Sequence, residues 1–269
     1  RLMPGDTDER LANLARGILL SQDGQYGKAL DSLYSSLQND DRFAPAHLEL
    51  ARIYLKQENV EKTREQARQI AENRDWVSSA RAMEARAALI DAPARKKMEE
   101  ALELARQAIK EDGNNPEAMV AKSLCDLLAG QVGSARNLID KALAIEPGNI
   151  EAIIVRARLL KAEGKDKDSL SLLLKTRAFA AGESDLLTTI ARAYQSQGDS
   201  KIAMDVLKNG TENGRSGARV AFELAKLLRD QGKNKQAKKY FDTCLANGLS
   251  GPKAVIARQA LKELKQNNN

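Results

Sequence analysis

Leu and Ala recur at helical spacing along the chain, and short polar segments of one form interrupt them: LLAGQVGSA, LKAEGKDKDS, YQSQGDSKIA and LRDQGKNKQA. Each segment reads as a tight turn between two amphipathic helices, because the apolar period stops at a Gly and resumes shortly afterwards. The glycines are Gly130, Gly164, Gly198 and Gly232, one every 34 residues. Glycine ends a helix by entering the left-handed region without a Cβ penalty. The spacing therefore predicts a helix pair repeated along the chain rather than one compact domain.

Two further registers run with the glycines. Five residues downstream stand Ala135, Ser169, Ala203 and Ala237, and seven upstream stand Ser123, Ala157, Ala191 and Ala225. Small side chains at those places let two helices approach closely where they cross. In the N-terminal half, Gly17, Ala51 and Ala85 keep the 34-residue step, and Ala101 lies one step before Ala135. Four extra residues must then fall between Ala85 and Ala101, and DAPARKK (Asp91 to Lys97) is the expected place, because Pro93 cannot sit inside a helix. Gly24 fits the turn register. One step later Glu58-Asn59 replace the glycine, with Asn expected to take the left-handed position.

These residues resemble the tetratricopeptide repeat family. Pro116 in DGNNPEA and Pro147 in AIEPGN match the family's unit-ending Pro, and Tyr54, Leu160, Tyr194 and Leu228 match the large residue after the small position. Asn13 and His47 stand where the family has a large apolar residue, so the first units are the least regular. The resemblance implies an all-α, right-handed superhelical solenoid of about seven helix-turn-helix units. Their expected limits are 10–43, 44–77, 78–115 with the insertion near 91–97, 116–149, 150–183, 184–217 and 218–249, after a lead-in over 1–9. SGPKAVIARQALKELKQ reads as a capping helix over 250–266, with Val255, Ile256, Ala260, Leu261 and Leu264 as its apolar stripe and Lys253, Arg258, Lys262 and Lys265 facing water. Residues 267–269 read as a frayed tail.

Composition sharpens the picture. Only 4% of the 269 residues are aromatic, and no apolar run approaches the ~18 residues that cross a bilayer. The net charge is +6, and the basic excess lies from Ser184 onward, where fifteen Lys and Arg face eight Asp and Glu. Such asymmetry suits an anionic partner. Cys125 and Cys244 fall in distant units, and since only neighbouring units of a solenoid touch, no disulfide between them is expected. The first residue is Arg1, which suggests removal of something upstream. A periplasmic or membrane-associated place is favoured if that was a leader, and the cytoplasm otherwise.

Catalytic signatures are missing. There is no phosphate-binding G-x-x-x-x-G-K-[ST], and no G-x-G-x-x-G within a βαβ pattern. A single histidine, His47, rules out HExxH and speaks for a packing role. Trp76 reads as a wedge between units, and Asn209-Gly210-Thr211 as a chance sequon. No cofactor, no metal and no enzymatic activity are expected.

The resemblance also implies a concave face lined by the first helix of each unit, at the residue after the small one. That position reads Ile18, Arg52, Arg86, Leu124, Arg158, Arg192 and Lys226. Three residues on stand Ser21, Leu55, Leu89, Leu127, Lys161, Gln195 and Arg229. The expected groove is apolar in the middle and basic towards the C-terminus. Repeated Arg can take carboxylates in paired hydrogen bonds, so an extended acidic protein segment is the expected partner, in a multiprotein assembly such as a bacterial envelope machine. The alternatives are an anionic polysaccharide and nucleic acid. The last is disfavoured because single-strand readers need stacking aromatics. Arginines paired with neighbouring carboxylates would be the plain structural explanation of the ladder. Self-association through an uncapped N-terminal end also stays open.

Overall fold

A computed structural model describes residues 4–38, 40–90, 95–178, 180, 182–212 and 217–266. Among these there are fifteen α-helices and no strand. In chain order they are α1 (Pro4–Gln22), α2 (Tyr26–Ser36), α3 (Ala44–Lys56), α4 (Val60–Ala71), α5 (Val77–Ile90), α6 (Arg95–Glu111), α7 (Pro116–Leu128) and α8 (Val132–Ile145). Then come α9 (Ile150–Ala162), α10 (Asp166–Arg177), α11 (Ser184–Ser196), α12 (Ser200–Glu212), α13 (Ala218–Asp230), α14 (Asn234–Ala246) and α15 (Gly251–Gln266). A short 3-10 turn at Arg74–Trp76 leads into α5. Residues 91–94, where most of the expected insertion falls, lie outside the described residues, as do 1–3 and 267–269.

Each odd-numbered helix packs on the even-numbered helix that follows it, and α15 packs on α14. The odd-numbered helices from α3 to α13 also touch one another in succession, so they form the inner layer of a superhelical solenoid.

The small residues do what their spacing predicts. Ala51, Ala85, Ala157, Ala191 and Ala225 are buried, and so are Ala101, Ala135, Ala203 and Ala237. Serine at these positions keeps its hydroxyl satisfied inside the pair: Ser123 donates to the Ala135 carbonyl at 3.0 Å and Ser169 to the Ala157 carbonyl at 2.7 Å. At Gly17 a Cβ would lie 2.6 Å from Leu33, so only glycine lets α1 and α2 meet. Buried alanines are the main content of the layer between α5, α6 and α7, which explains how so few aromatics suffice.

Helix starts follow capping chemistry. The Asn115 side chain accepts from the Glu117 and Ala118 amides ahead of Pro116, and the Asn149 side chain accepts from the Ala152 amide. At the turn without glycine the left-handed residue is Glu58, at φ 59°, and not Asn59. Asn59 instead caps α4 by accepting from the Lys62 amide, a role for which Asn is better suited than Glu.

Two other expectations are revised. In α15 the buried face is Ala254, Ala257, Ala260, Leu261 and Leu264. Val255 and Ile256 lie exposed, 64% and 47% accessible, and Lys253 turns inward instead of facing water. The larger revision concerns which parts touch. Contacts are not confined to neighbours: the superhelix closes on itself. Tyr26 and Ser184 share a hydrogen bond of 2.9 Å across 158 residues of sequence. Lys56 donates to Glu183 at 2.6 Å, Ser250 donates to the Gln57 carbonyl at 3.3 Å, and Lys253 pairs with Glu58. The turns after α1 and α3 are thereby sealed against the starts of α11, α13 and α15.

Candidate functional site

The inner layer carries two ladders of charged residues. One is the expected series after the small position. The other stands in the first turn of the odd-numbered helices: Glu117, Glu151, Asp185 and Arg219, continued by Lys253 in α15, each 34 residues after the last. Its period was as readable as that of the glycines. It goes unnoticed in the sequence because its sign changes part-way along.

The two ladders meet across the inside of the superhelix. Arg52 pairs with Glu49 on its own helix and with Glu117, 65 residues on. Arg86 makes a bidentate pair with Glu151, also 65 residues on, at 2.6 and 2.8 Å. Each contact therefore skips from α3 to α7 or from α5 to α9. Beyond the four extra residues the corresponding offset is 61, and the same geometry sets Leu124 opposite Asp185 and Arg158 opposite Arg219. The matching thus changes at Arg158, whose ladder counterpart is a cation and whose nearest counter-charge is Asp185. Asp185 is taken by Arg219 at 2.5 Å. Glu58, in turn, holds Lys253 and lies 3.3 Å from Arg219 Nε.

Electrostatics follow this arrangement. Burial pulls the Glu151 carboxyl up, but Arg86 beside it, with help from Arg52 and Lys56, holds it below its ordinary range. For Asp185 burial is again outweighed, by Arg219 and Arg158. Burial acts downward on Arg158, Asp185 acts upward, and Arg219, Arg192 and Arg86 repel it, so its net shift is downward. Arg158 forms no hydrogen bond or ion pair with any described residue. At the seal, Lys56 is raised: its desolvation is outweighed by Glu183 and by Tyr26, whose ring lies 5.8 Å away. On Glu183 burial dominates and pushes the carboxyl up. These directions oppose one another, and the 2.6 Å contact to the Lys56 ammonium decides for an ion pair at neutral pH.

The expected site residues separate into four groups. Leu55, Arg86, Leu89, Leu124 and Arg158 line one cavity of about 410 Å³, together with Glu58, Glu151, Ile154, Asp185, Arg219 and Lys253. Arg52 lines a second cavity of about 450 Å³ with Ile18, Lys56 and Glu183. Lys161, Arg192, Lys226 and Arg229 join neither cavity and stay half or fully exposed. Leu127 packs into the core around Ile139 and Leu159.

His47 is buried, 2.7 Å from both the Gln66 side chain and the Asp41 carbonyl. Trp76 is partly buried against the core cluster that α3, α4 and α5 share. Among the described residues no group of three or more His, Cys, Asp or Glu could hold a metal ion, and no helix is long and apolar enough to cross a membrane.

Two stretches, residues 92–159 and 218–246, match sequence profiles of the tetratricopeptide repeat. No curated protein matches the chain. Among solved structures, a tetratricopeptide repeat protein of Thermus thermophilus superposes with a TM-score of 0.54 at 22% identity, over 69% of this chain and 99% of that one. One from Parabacteroides merdae gives 0.57 at 15% identity, over 96% and 99%. A chain of the Cut9–Hcn1 hetero-tetramer of APC/C gives 0.66 at 11% identity, covering 96% of this chain and 49% of that one. At these identities the likeness is one of fold.

Proposed function

For a chain that belongs to the tetratricopeptide repeat family, we propose a non-catalytic protein–protein interaction scaffold that holds an extended acidic segment of its partner along the C-terminal part of the inner layer. The repeats and the neighbouring folds support the scaffold role itself. The placement rests on how the ladder cations are used. Arg52 and Arg86 are committed to cross-groove pairs and leave side-chain exposures of 27% and 10%. Arg192 and Lys226 retain 47% and 41%, and both lean on one carboxylate, Glu223, at 2.6 and 3.8 Å. Lys161 is exposed, and Arg229, at 35%, forms an ion pair of 3.8 Å with its neighbour Asp230.

That is the observation that carries the reading: the C-terminal cations are accessible, outnumber the carboxylate they share, and continue the basic bias of the sequence. A carboxylate from a partner can reach the exposed side of Arg192 and Lys226 while Glu223, only 10% exposed, stays in place beneath them. Several such contacts along one segment add specificity and steer association.

The test is capture from native extract by wild type and by Arg192→Glu/Lys226→Glu at low and high salt. The expected result is one or more proteins with an acidic segment, recovered by wild type at low salt, weakened by salt and lost by the variant. The recovered protein should then bind the purified chain directly. Equal capture by both chains at both salts would refute the placement.

A further inference from the structure

The closed superhelix encloses a cavity of about 410 Å³ between its inner helices and the folded-back start of α15, within the ~300–1,000 Å³ of small-molecule sites. One wall is apolar: Leu55, Leu89, Leu124, Leu128 and Ile154. The rest of the lining is charged, with four cations, Arg86, Arg158, Arg219 and Lys253, against three carboxylates, Glu58, Glu151 and Asp185. All three carboxylates are engaged: Glu151 by Arg86, Asp185 by Arg219, and Glu58 by Lys253 and Arg219. The cavity is thus one anion short, and the shortfall is at Arg158, which the period of the two ladders sets against another cation.

We propose that this cavity binds a small carboxylic acid carrying a single apolar chain, its carboxylate on Arg158 and its chain along the leucine wall. The argument is one of complementarity. A guanidinium offers paired donors to a carboxylate, and a monoanion completes the charge count. A dianion would have to compete with Asp185 and Glu151, which line the same space. The apolar wall is the part of the inner layer where the ladder positions hold leucine instead of Arg, so the chain has a place beside the charge. The site depends on closure, since Lys253 and Arg219 reach it only because the end of the solenoid returns to the turn at Glu58. It does not depend on the partner surface around Arg192 and Lys226.

The test uses isothermal titration of the whole chain with sodium butanoate, hexanoate and octanoate, and with 1-octanol as the neutral counterpart. Octanoate should bind at sub-millimolar concentration, affinity should rise about fourfold per added methylene, and octanol should bind at least tenfold more weakly. Arg158→Gln should weaken octanoate by about 10- to 100-fold, the worth of a charge-assisted hydrogen bond. Arg158→Lys should keep part of the affinity, and Lys226→Glu all of it. Helical circular dichroism and the urea midpoint show that the Arg158 variants fold, and since Arg158 is half-buried without a hydrogen bond or ion pair of its own, neither midpoint should fall much. Equal binding of octanol and octanoate, undiminished binding by Arg158→Gln, or no binding of octanoate at millimolar concentration would each overturn the proposal. So would a peptide ending in Leu that binds where octanoate does not, which would give the cavity to a partner's chain.

Discussion

Gly148 and Gly182 occupy the same register, one repeat step apart, in the turns that lead into α9 and α11. In a solenoid whose units touch only their neighbours, Gly→Ala should have nearly the same effect at both. The closed superhelix separates them. A Cβ at 148 meets nothing within 4 Å. One at 182 would lie 2.5 Å from the Asp23 carbonyl carbon, 2.6 Å from its oxygen and 2.8 Å from the Gln22 oxygen. These are backbone atoms of a turn held by hydrogen bonds from Asp23, Gly24 and Gln25 to α1, so they cannot rotate away. The seam must therefore open by roughly 1 Å to reach ordinary contact, next to the 2.9 Å Tyr26–Ser184 bond and the 2.6 Å Lys56–Glu183 pair. Overpacking of this kind costs about 1–3 kcal/mol, and stretching a buried hydrogen bond adds about 1 kcal/mol. Gly182→Ala should then destabilise by about 2–4 kcal/mol. Gly148→Ala should be neutral, or stabilise by up to about 1 kcal/mol through the unfolded chain. Urea denaturation measures the difference. Small-angle scattering measures its geometry, since a compact chain of this length has a radius of gyration near about 18 Å and an opened superhelix exceeds it. If the two alanines fall within about 0.5 kcal/mol of each other and scatter alike, the closure is wrong.

Other consequences are more local. Arg86→Leu strands Glu151 in a buried site and should cost about 3–5 kcal/mol, whereas Arg86→Leu/Glu151→Leu should recover most of that. A double-mutant cycle in urea decides, and a double variant as unstable as Arg86→Leu alone would contradict the pairing. Glu151 and Asp185 both titrate below their ordinary range in the fold. The unfolded chain therefore binds more protons on the acid side, and stability should hold above the ordinary carboxylate range and fall as pH drops through it and below. A urea midpoint unchanged between pH 5 and 3 would refute this. Burial pushes the Cys125 thiol up to about 11 and Cys244 up to about 12. Alkylation at pH 8 should accordingly track unfolding by urea, and rapid labelling of the native chain would refute the burial.

The helices and their pairing were legible in the sequence because they rest on local chemistry. A turn glycine every 34 residues, small residues at the crossings and Asn or Pro at helix starts are each satisfied within about twenty residues of chain. Closure is not of that kind. It depends on the pitch that accumulates over several units, and no single residue announces it. Gly182 and Gly217 look like ordinary turn glycines, yet a Cβ at either would strike the segment from Gln22 to Tyr26. The basic ladder was legible as residues but not as a surface. Arg52 and Arg86 share the register of Arg192 and Lys226, and only the second ladder decides which remain accessible. Arg158 and Arg192 both have cations as ladder counterparts, but Arg192 has Glu223 beside it and Arg158 has no ion pair among the described residues.

Glu58 shows how the local and the global reading meet. It occupies the left-handed position that glycine fills at Gly24, Gly130, Gly164, Gly198 and Gly232, and a side chain there costs about 1 kcal/mol relative to glycine. Taken locally, it is a defect in the repeat. In the closed superhelix its carboxylate holds Lys253 and approaches Arg219, while its backbone oxygen lies 3.1 Å from the place a Cβ would take at Gly251. Glycine at 58 would relieve the strain and leave Lys253 without its counter-charge, and Arg219 with Asp185 alone, at the seam where α15 meets the turn after α3. The repeat departs from its rule where the fold needs a charge, and the seam so made is also the rim of the cavity that holds Arg158.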